Sequence, residues 1–370
     1  MLPLVATGHL AAHLGRGMQR ITTDAAVGAL RALPRHVANL DAAQLSGLLG
    51  ASVESVQVLG GDAGTSSRAL LKLTGAGVPE TVFVKMAAQT AATRLMGELG
   101  RLGATEVQFY RELAPQLVDV PKCYGSAFDP LTGRYILVLE DLAANAPCEF
   151  TDTLHPISAD QAAQIMELLA QLHAKFWGKA DNYRWVYSAS GDDTSLLTGP
   201  LARASVKKLQ GRTDIPVDNG RYLIDNYRAV AALIDRAPTT IMHGDAHPGN
   251  MYFRNGKAGL LDWQAVRKGH PGRELSYTLI TSMTTEQRRT HQRELLDTYC
   301  RALAAAGGPA LDRDTLWHRY RQGATYAYIA TLITAGMGGM QDEGIALEGL
   351  ARSVAALEDL DTVRQLQRTR

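Results

Sequence analysis

Hydrophobic and polar positions along the chain change their period twice, near residue 55 and near residue 158. Between these points, short apolar runs with a period of two are typical of β-strands. Beyond residue 158, apolar residues recur every three to four positions, which predicts helices. The predicted strands are residues 55–59, 68–74, 81–86, 118–124 and 134–139, and the main predicted helices are 105–113, 158–176, 222–233, 285–306, 314–335 and 345–367.

This change of period predicts an α+β protein with two lobes, a small antiparallel β lobe with one main helix and a larger helical lobe. A length of 370 residues also exceeds what one hydrophobic core usually serves. We expect a helical extension of one or two short helices with a partly mobile start, then the β lobe, a hinge and the helical lobe. The predicted ranges are 1–45 for the extension, 46–141 for the β lobe, 142–370 for the helical lobe, 140–147 for the hinge and 181–220 for a substrate-side loop.

The segment from Ile241 to Trp263 holds the densest group of chemically useful side chains, Asp245, Asn250 and Asp262. Two short apolar runs, 240–242 and 259–261, flank an Asn-Gly pair that favours a hairpin turn. We therefore expect the two runs to lie side by side, with Asp245 and Asn250 facing Asp262.

Lys85 ends the apolar run of the third predicted strand, and a lysine at such a position needs a counter-ion if it is buried. Glu106, on the amphipathic helix that follows, is the expected partner, and Glu98 is the competing candidate. The predicted hairpin before Lys85 has a glycine-rich tip, where backbone N–H groups can approach phosphates. Its candidate residues are Gly61, Gly64 and Ser66, which do not form a GxGxxG pattern.

Composition restricts the class of partner. The net charge of +1 and the isoelectric point near 7.8 favour neither nucleic acid nor a membrane surface. Three scattered cysteines suggest no disulfide framework. The sequence shows no signal peptide, so we expect a cytoplasmic protein. It leaves open whether the protein is a monomer or a dimer.

These residues together match the requirements of phosphoryl transfer, which needs alignment, magnesium and a carboxylate that accepts the proton of the attacking hydroxyl. Asp245 is the candidate base. Asn250 and Asp262 offer the oxygen ligands that Mg²⁺ prefers. Lys85, held by Glu106, is placed to bind phosphates of ATP. The expected substrate is a hydroxyl group on a small molecule.

We expect this molecule to be a moderately hydrophobic alcohol. The side chains that suggest aromatic and apolar contact with it are Tyr320, Tyr326, Tyr328, Ile329 and Met337. The alternative is that these residues fill the core between helices.

The segments H-G-D-A-H-P-G-N and L-L-D-W-Q resemble the catalytic and metal segments of the aminoglycoside phosphotransferase and choline kinase superfamily, which has a protein-kinase-like fold. The strand V-F-V-K, the helix E-V-Q-F-Y-R-E-L and the segment V-L-E-D-L look closest to the ecdysteroid-kinase-like and bacterial phosphotransferase branches. The resemblance implies that Asp245 is catalytic, that Asn250 and Asp262 bind magnesium and that Lys85 pairs with Glu106. It also implies that backbone near Glu140 and Leu142 binds adenine, and that His243 braces the loop.

Three other readings stay open. The chain could be a silent nucleotide-binding protein of the same fold, although all five expected polar positions are filled. It could be a true aminoglycoside kinase, although the segments that would line the acceptor are not rich in acid. His243, Asp245 and His247 could bind zinc in a hydrolase, but Gly244 and Pro248 disfavour the helix that HExxH sites need.

Overall fold

The computed structural model describes residues 2–144, 146–339 and 341–368. Met1, Asn145, Met340, Thr369 and Arg370 fall within the predicted segments but lie outside the described residues. The chain divides into two compact units. The first unit contains Met1–Cys148 and Leu261–Ala265, and the second contains Glu149–Leu260 and Val266–Arg370. The lobe boundaries given by the sequence remain a prediction.

The first unit is built on a five-stranded antiparallel sheet with the order β1-β2-β3-β5-β4. Alternate residues of β2 and β3 are buried against α2 in one core, which accounts for the period of two. The helices are α1 (Leu2–Val27), α2 (Ala42–Leu49), α3 (Ala91–Gly100) and α4 (Leu102–Gln108), and the strands are β1 (Ser55–Ala63), β2 (Ser66–Thr74), β3 (Thr81–Ala87), β4 (Cys123–Phe128) and β5 (Tyr135–Glu140).

The second unit is mostly helical, as predicted, so the α+β class is confirmed. A Ser158–Gln161 capping box starts its first helix, as the sequence indicated. Its strands are β6 (Cys148–Phe150), β7 (Thr240–Met242), β8 (Met251–Arg254), β9 (Lys257–Leu260) and β10 (Arg267–Gly269), of which β6 starts on the last residue of the first unit. Its helices are α5 (Ala159–Phe176), α6 (Ser195–Leu209), α7 (Arg221–Asp225), α8 (Tyr227–Ile234), α9 (Pro271–Ser282), α10 (Thr285–Ala305), α11 (Arg313–Met337), α12 (Glu343–Asp359) and α13 (Thr362–Arg368).

The predicted pairing of residues 240–242 with 259–261 is wrong. Strand β7 pairs with β10, and β9 pairs with β8. Asn255 and Gly256 have φ angles of 52° and 74°, so they form a two-residue turn that joins only the strands directly beside it. The expected approach of Asp245 and Asn250 to Asp262 remains a prediction.

Several element boundaries also differ from the prediction. The extension contains a 26-residue helix, α1, where the sequence predicted one or two short helices. The range 181–220 contains the 15-residue helix α6, whose internal Pro200 weakens the helical signal. Strand β4 begins at Cys123 and not at residue 118, because Asp119, with a φ of 58°, and Pro121 do not fit a regular strand. The predicted helices at 222–233 and 345–367 are each broken into two, at Asn226 and near Asp361.

Candidate active site

Lys85 is buried in β3 and lies between two carboxylates. Its Nζ is 2.7 Å from Oε2 of Glu106 and 2.8 Å from Oδ1 of Asp262. All three residues belong to the first unit. A buried ammonium is tolerated when it is paired in this way, so the predicted Lys85–Glu106 pair is confirmed as a contact.

Glu98, the competing candidate, does not take this position. Its carboxylate pairs with Arg20 of α1 at 2.7 Å. The choice follows from helix geometry, because Glu106 lies on a buried face of α4 whereas Glu98 is only partly buried on α3. The difference in burial therefore explains why Glu106, and not Glu98, is the partner of Lys85.

The three charges of this cluster leave an excess of negative charge. Burial raises the pKa of Glu106 to about 7, with Lys85 opposing the shift. Burial alone would lower the pKa of Lys85, but Asp262 and Glu106 outweigh it and raise that pKa. Lys85 is thus an ammonium that faces the Asp262 carboxylate and, above about pH 7, the Glu106 carboxylate as well, so an added cation would be stabilised here.

Asp262 has an unusual backbone for a residue that is not glycine. Its φ of 63° lies in the left-handed region, which is uncommon for a residue with a Cβ and is enriched at functional sites. The next residue, Trp263, stacks on Phe109 directly after α4, with ring centroids 4.1 Å apart and planes within 5°. This stacking fixes Asp262 relative to the helix that carries Glu106.

In the second unit, residues 243–250 form the loop that carries the candidate base, here called the 243–250 loop. The buried His243 accepts a hydrogen bond at Nδ1 from the backbone N–H of Asp245, at 3.2 Å, as expected for a bracing histidine. Gly244 has a φ of 85°, which favours glycine. The Tyr326 hydroxyl donates to the Gly244 carbonyl at 2.7 Å.

Glu274 of α9 braces the same loop and was not identified from the sequence. Its buried carboxylate accepts from the backbone N–H of Gly244 at 2.6 Å and of His243 at 3.2 Å. It also bonds to Nε2 of His173 at 2.8 Å, and Nδ1 of His173 bonds to the Tyr299 hydroxyl at 2.9 Å. His173 is therefore a structural histidine, as predicted.

Asp245 has a partner at each carboxylate oxygen. The Tyr277 hydroxyl donates to Oδ1 at 2.8 Å. Asn250 Nδ2 donates to the Asp245 carbonyl at 2.9 Å and lies 3.4 Å from Oδ2. Burial, followed by the charge of Asp245, raises the pKa of Tyr277 well above its usual value, so its hydroxyl keeps the proton that it donates. Tyr277 was also missed by sequence reasoning.

The zinc hypothesis depends on His247, whose Nε2 lies 3.8 Å from Oδ2 of Asp245. Its other nitrogen, Nδ1, accepts from the backbone N–H of Gly249 at 3.1 Å and caps the short turn Pro248–Asn250. Across residues 2–144, 146–339 and 341–368, no group of three His, Cys, Asp or Glu side chains is arranged to hold a metal ion.

These features of both units can be compared with known families. Residues 55–320 match the model of the phosphotransferase enzyme family. The chain belongs to that family. This confirms the superfamily that the motifs indicated. A search of curated proteins finds no significant match.

Solved structures support the fold of this phosphotransferase. A putative aminoglycoside phosphotransferase from Ralstonia eutropha is 15% identical, with a TM-score of 0.50 over 85% of this chain and 92% of the other. A choline kinase from Cryptosporidium parvum is 10% identical, with a TM-score of 0.50 over 86% and 89%. At these identities the similarity shows the fold alone.

The predicted glycine-rich tip of the phosphotransferase is shorter than expected. Gly61 lies within β1, where an added Cβ would come within 2.5 Å of the Arg68 carbonyl, so only Gly64 is in the turn. Ser66 is buried at the start of β2 and bonds to the side chain of Tyr135. The Ser66 hydroxyl therefore already has a protein partner, and the phosphate contact of this tip remains a prediction.

The predicted adenine-binding segment lies at the end of β5. The backbone N–H of Glu140 donates to the Lys122 carbonyl at 2.8 Å, so this donor is used within the sheet. Leu142 is buried just beyond it. Adenine binding at Glu140 and Leu142 remains a prediction.

The second unit contains a cleft of about 30 Å³ whose described lining includes two neighbours of Asp245 but not Asp245 itself. Tyr277 and His247, the two neighbours of Asp245, line it. Most of its other polar lining consists of threonine hydroxyls, from Thr153, Thr281, Thr331 and Thr334. The described lining contains no carboxylate.

Three of the tyrosines that the sequence placed near an acceptor have different roles. Tyr320 and Tyr328 are fully buried and bond to Gln292 and to the Val217 carbonyl, so they belong to the core. Of these three tyrosines, Tyr326 contacts the 243–250 loop, and the guanidinium of Arg273 lies 4.0 Å above its ring.

None of the described helices is both long enough and apolar enough to span a bilayer.

Proposed function

We propose that the chain transfers the γ-phosphoryl group of ATP, in the presence of Mg²⁺, to a hydroxyl group of a small, neutral alcohol. The observation that carries this proposal is the setting of Asp245 in a member of the phosphotransferase family. A tyrosine and an asparagine orient its carboxylate, and the same tyrosine lines a cleft whose walls carry threonine hydroxyls.

In this proposal Asp245 orients the acceptor hydroxyl and takes its proton as the oxygen attacks phosphorus. Tyr277 bonds to Oδ1 at 2.8 Å, whereas Oδ2 has the longer 3.4 Å contact with Asn250, so Oδ2 is the oxygen assigned to the acceptor. Lys85 binds phosphate oxygens, and Glu106 holds the Lys85 side chain in place. Such preorganised charges stabilise the transition state without reorganising during the reaction.

The residues assigned to Mg²⁺ fit that ion. Asn250 uses its amide nitrogen to bond to Asp245, and its side-chain oxygen makes no hydrogen bond to a described residue. Asp262 belongs to the cluster with excess negative charge. Oxygen donors of this kind suit a hard divalent cation. When bound, Mg²⁺ neutralises charge on the transferring phosphoryl group.

The choice of acceptor rests on the absence of carboxylates from the described lining of the cleft. A polycationic aminoglycoside would need several acidic partners, whereas threonine hydroxyls can bond to a neutral alcohol. The test is ADP release across amino alcohols, sugars, lipophilic alcohols and aminoglycosides. We expect a neutral alcohol to be the best acceptor. Kanamycin-type compounds as the best acceptors would overturn the acceptor class, and nucleotide binding without turnover on any acceptor would support the silent reading.

Tyr277→Phe is expected to lower kcat about tenfold, because it removes one hydrogen bond to a charged oxygen of the base. The KM for nucleotide should change little. Steady-state kinetics would measure both constants.

Tyr320→Phe is the matched control for Tyr277→Phe, since it also removes a buried hydroxyl, one that bonds to Gln292 away from the 243–250 loop. It should leave kcat unchanged. An equal loss of kcat in both variants would mean that Tyr277 acts through stability alone.

Turnover should also depend on the ionisation of Glu106. Burial raises its pKa to about 7, so the carboxylate that holds Lys85 is formed only as the pH rises through that region. We therefore expect kcat/KM for nucleotide to rise with pH through about 7. Glu106→Gln should remove this limb of the profile, and a limb that persists in the variant would assign it to another group.

A further inference from the structure

A second cavity, of about 220 Å³, lies within the first unit and is separate from the proposed reaction site. It is enclosed by α1, α3, the first turn of α4 and the ends of β3 and β5 nearest the β4–β5 turn. Its lining does not include Lys85, Glu106 or Asp262. Any ligand of this cavity would therefore be bound by a different set of residues.

The lining of the cavity is strongly basic. It contains four arginines and His13, against one carboxylate, Glu98. The arginines are Arg16 and Arg20 of α1, Arg94 of α3, and Arg101 between α3 and α4. Concave surfaces of one charge sign concentrate ions of the opposite sign. The cavity is therefore suited to an anion.

Nearby acids neutralise only part of this charge. Glu98 is used by Arg20, and Arg94 pairs with the buried Asp24. Asp24 is also shared with Arg134 at 2.5 Å and with Arg35 at 3.8 Å, so one carboxylate serves three guanidinium groups.

Arg16 adds a positive charge that no described acid neutralises. Its side chain is exposed at the cavity and, within the part of the chain that the structure describes, makes no hydrogen bond or ion pair. A bound anion would supply the partner that this guanidinium lacks.

Apart from two threonines, the remaining lining is largely apolar, and the cavity volume limits the size of the ligand. Leu102, Phe128 and Tyr135 offer one aliphatic and two aromatic surfaces. The volume is below the roughly 300–1,000 Å³ of sites for drug-sized ligands. Together these features favour a compact anion with a small apolar or aromatic body.

We propose that this cavity binds a small organic anion, a phosphate monoester or a carboxylate, through Arg16 and Arg101. The anionic group lies against these arginines, and the apolar body lies against Phe128 and Tyr135. The ligand contacts α1, α3 and α4 at once and so ties the three helices together.

This position connects the cavity to the helix that carries Glu106. Gly103 lines the cavity one turn before Glu106, and it lies so close to Tyr135 that an added Cβ would come within 2.2 Å of the ring. Tyr135 lies near enough to Lys85 for each to shift the pKa of the other. Occupancy should therefore slow amide hydrogen exchange in α3 and α4.

Calorimetric titration of the full chain with phenyl phosphate, benzoate and phenol tests the proposal. We expect one of the two anions to bind and neutral phenol to bind at least about tenfold more weakly. Arg16→Gln should weaken the anion about tenfold, and Arg101→Gln should do the same. The matched control, Arg228→Gln, changes an exposed arginine of α8 and should leave binding unchanged. Equal binding by phenol, or wild-type affinity in both cavity variants, would overturn the proposal.

A competition experiment separates this site from the proposed nucleotide site. Whichever of phenyl phosphate and benzoate binds in the titration should still bind, and still slow exchange in α3 and α4, when ADP is saturating. Displacement by ADP would place the anion at the nucleotide site and overturn the inference. Because these readouts need no turnover, they succeed or fail independently of the proposed phosphotransferase reaction.

Discussion

Asp245→Asn is expected to lower kcat by about 10³-fold, because the amide keeps the size of the side chain but cannot take a proton from the acceptor. The Tyr277 hydroxyl can still donate to the amide oxygen, so the 243–250 loop should keep its shape. Affinity for Mg-ATP should therefore stay within about threefold of the wild type, since the lost function is proton transfer. Turnover by ADP release and nucleotide affinity by calorimetry would measure the two effects.

Asp225→Asn is the matched control for this variant. Asp225 is an exposed carboxylate of α7 that pairs with Arg203 at the surface, and exposed pairs of this kind contribute little. Its kcat should equal that of the wild type. If Asp245→Asn kept more than about a tenth of the wild-type kcat, Asp245 would not be the proton acceptor.

The sequence identifies those polar residues of the site whose roles can be recognised from short neighbouring stretches of sequence. Lys85 follows an apolar strand, and a buried ammonium needs an acid, which the next amphipathic helix supplies as Glu106. His243 and Gly244 occur in a short motif whose spacing fixes the loop. Such features need only a few neighbouring residues, so they can be predicted without the fold.

Sequence reasoning missed the residues that reach the loop from distant parts of the chain. Glu274 bonds to an amide 30 residues away, and Tyr277 bonds to a carboxylate 32 residues away. Both lie on α9, in which all twelve residues are buried. A helix that is buried on every face has no amphipathic pattern to indicate which side contacts the loop. A charged Arg273–Glu274 pair inside a buried helix is the one signal that the sequence offers.

Strand pairing failed for a related reason. The apolar runs at 240–242 and 259–261 look alike in sequence. The tight turn at Asn255, however, makes β9 pair with β8, the strand directly before the turn. β7 then pairs with β10, whose sequence R-K-G carries no strand signal. Pairing in such short strands is decided by tertiary packing.

Glu274→Gln is expected to lower the free energy of unfolding by about 3 kcal/mol. The wild-type carboxylate accepts from two backbone N–H groups and bonds to His173. An amide replaces one acceptor oxygen with a donor, so at least one buried donor in this set loses its partner. Urea unfolding would measure the change. The matched control, Glu167→Gln, alters an exposed residue of α5 and should change stability by less than about 0.5 kcal/mol.

The pH dependence of this loss tests its electrostatic origin. Burial raises the pKa of Glu274, but the hydrogen bond and electrostatic effect of His173, the electrostatic effect of His243 and the backbone bond from Gly244 outweigh burial and keep that pKa below its ordinary value of 4.5. A lowered carboxyl pKa contributes stability that is complete above the unfolded-state value and is lost as the pH falls through the folded-state value. The stability difference between the wild type and Glu274→Gln should therefore be largest above pH 4.5 and shrink below it. A difference that stays constant down to about pH 3 would show that the shape of the side chain, and not its charge, holds the 243–250 loop in place.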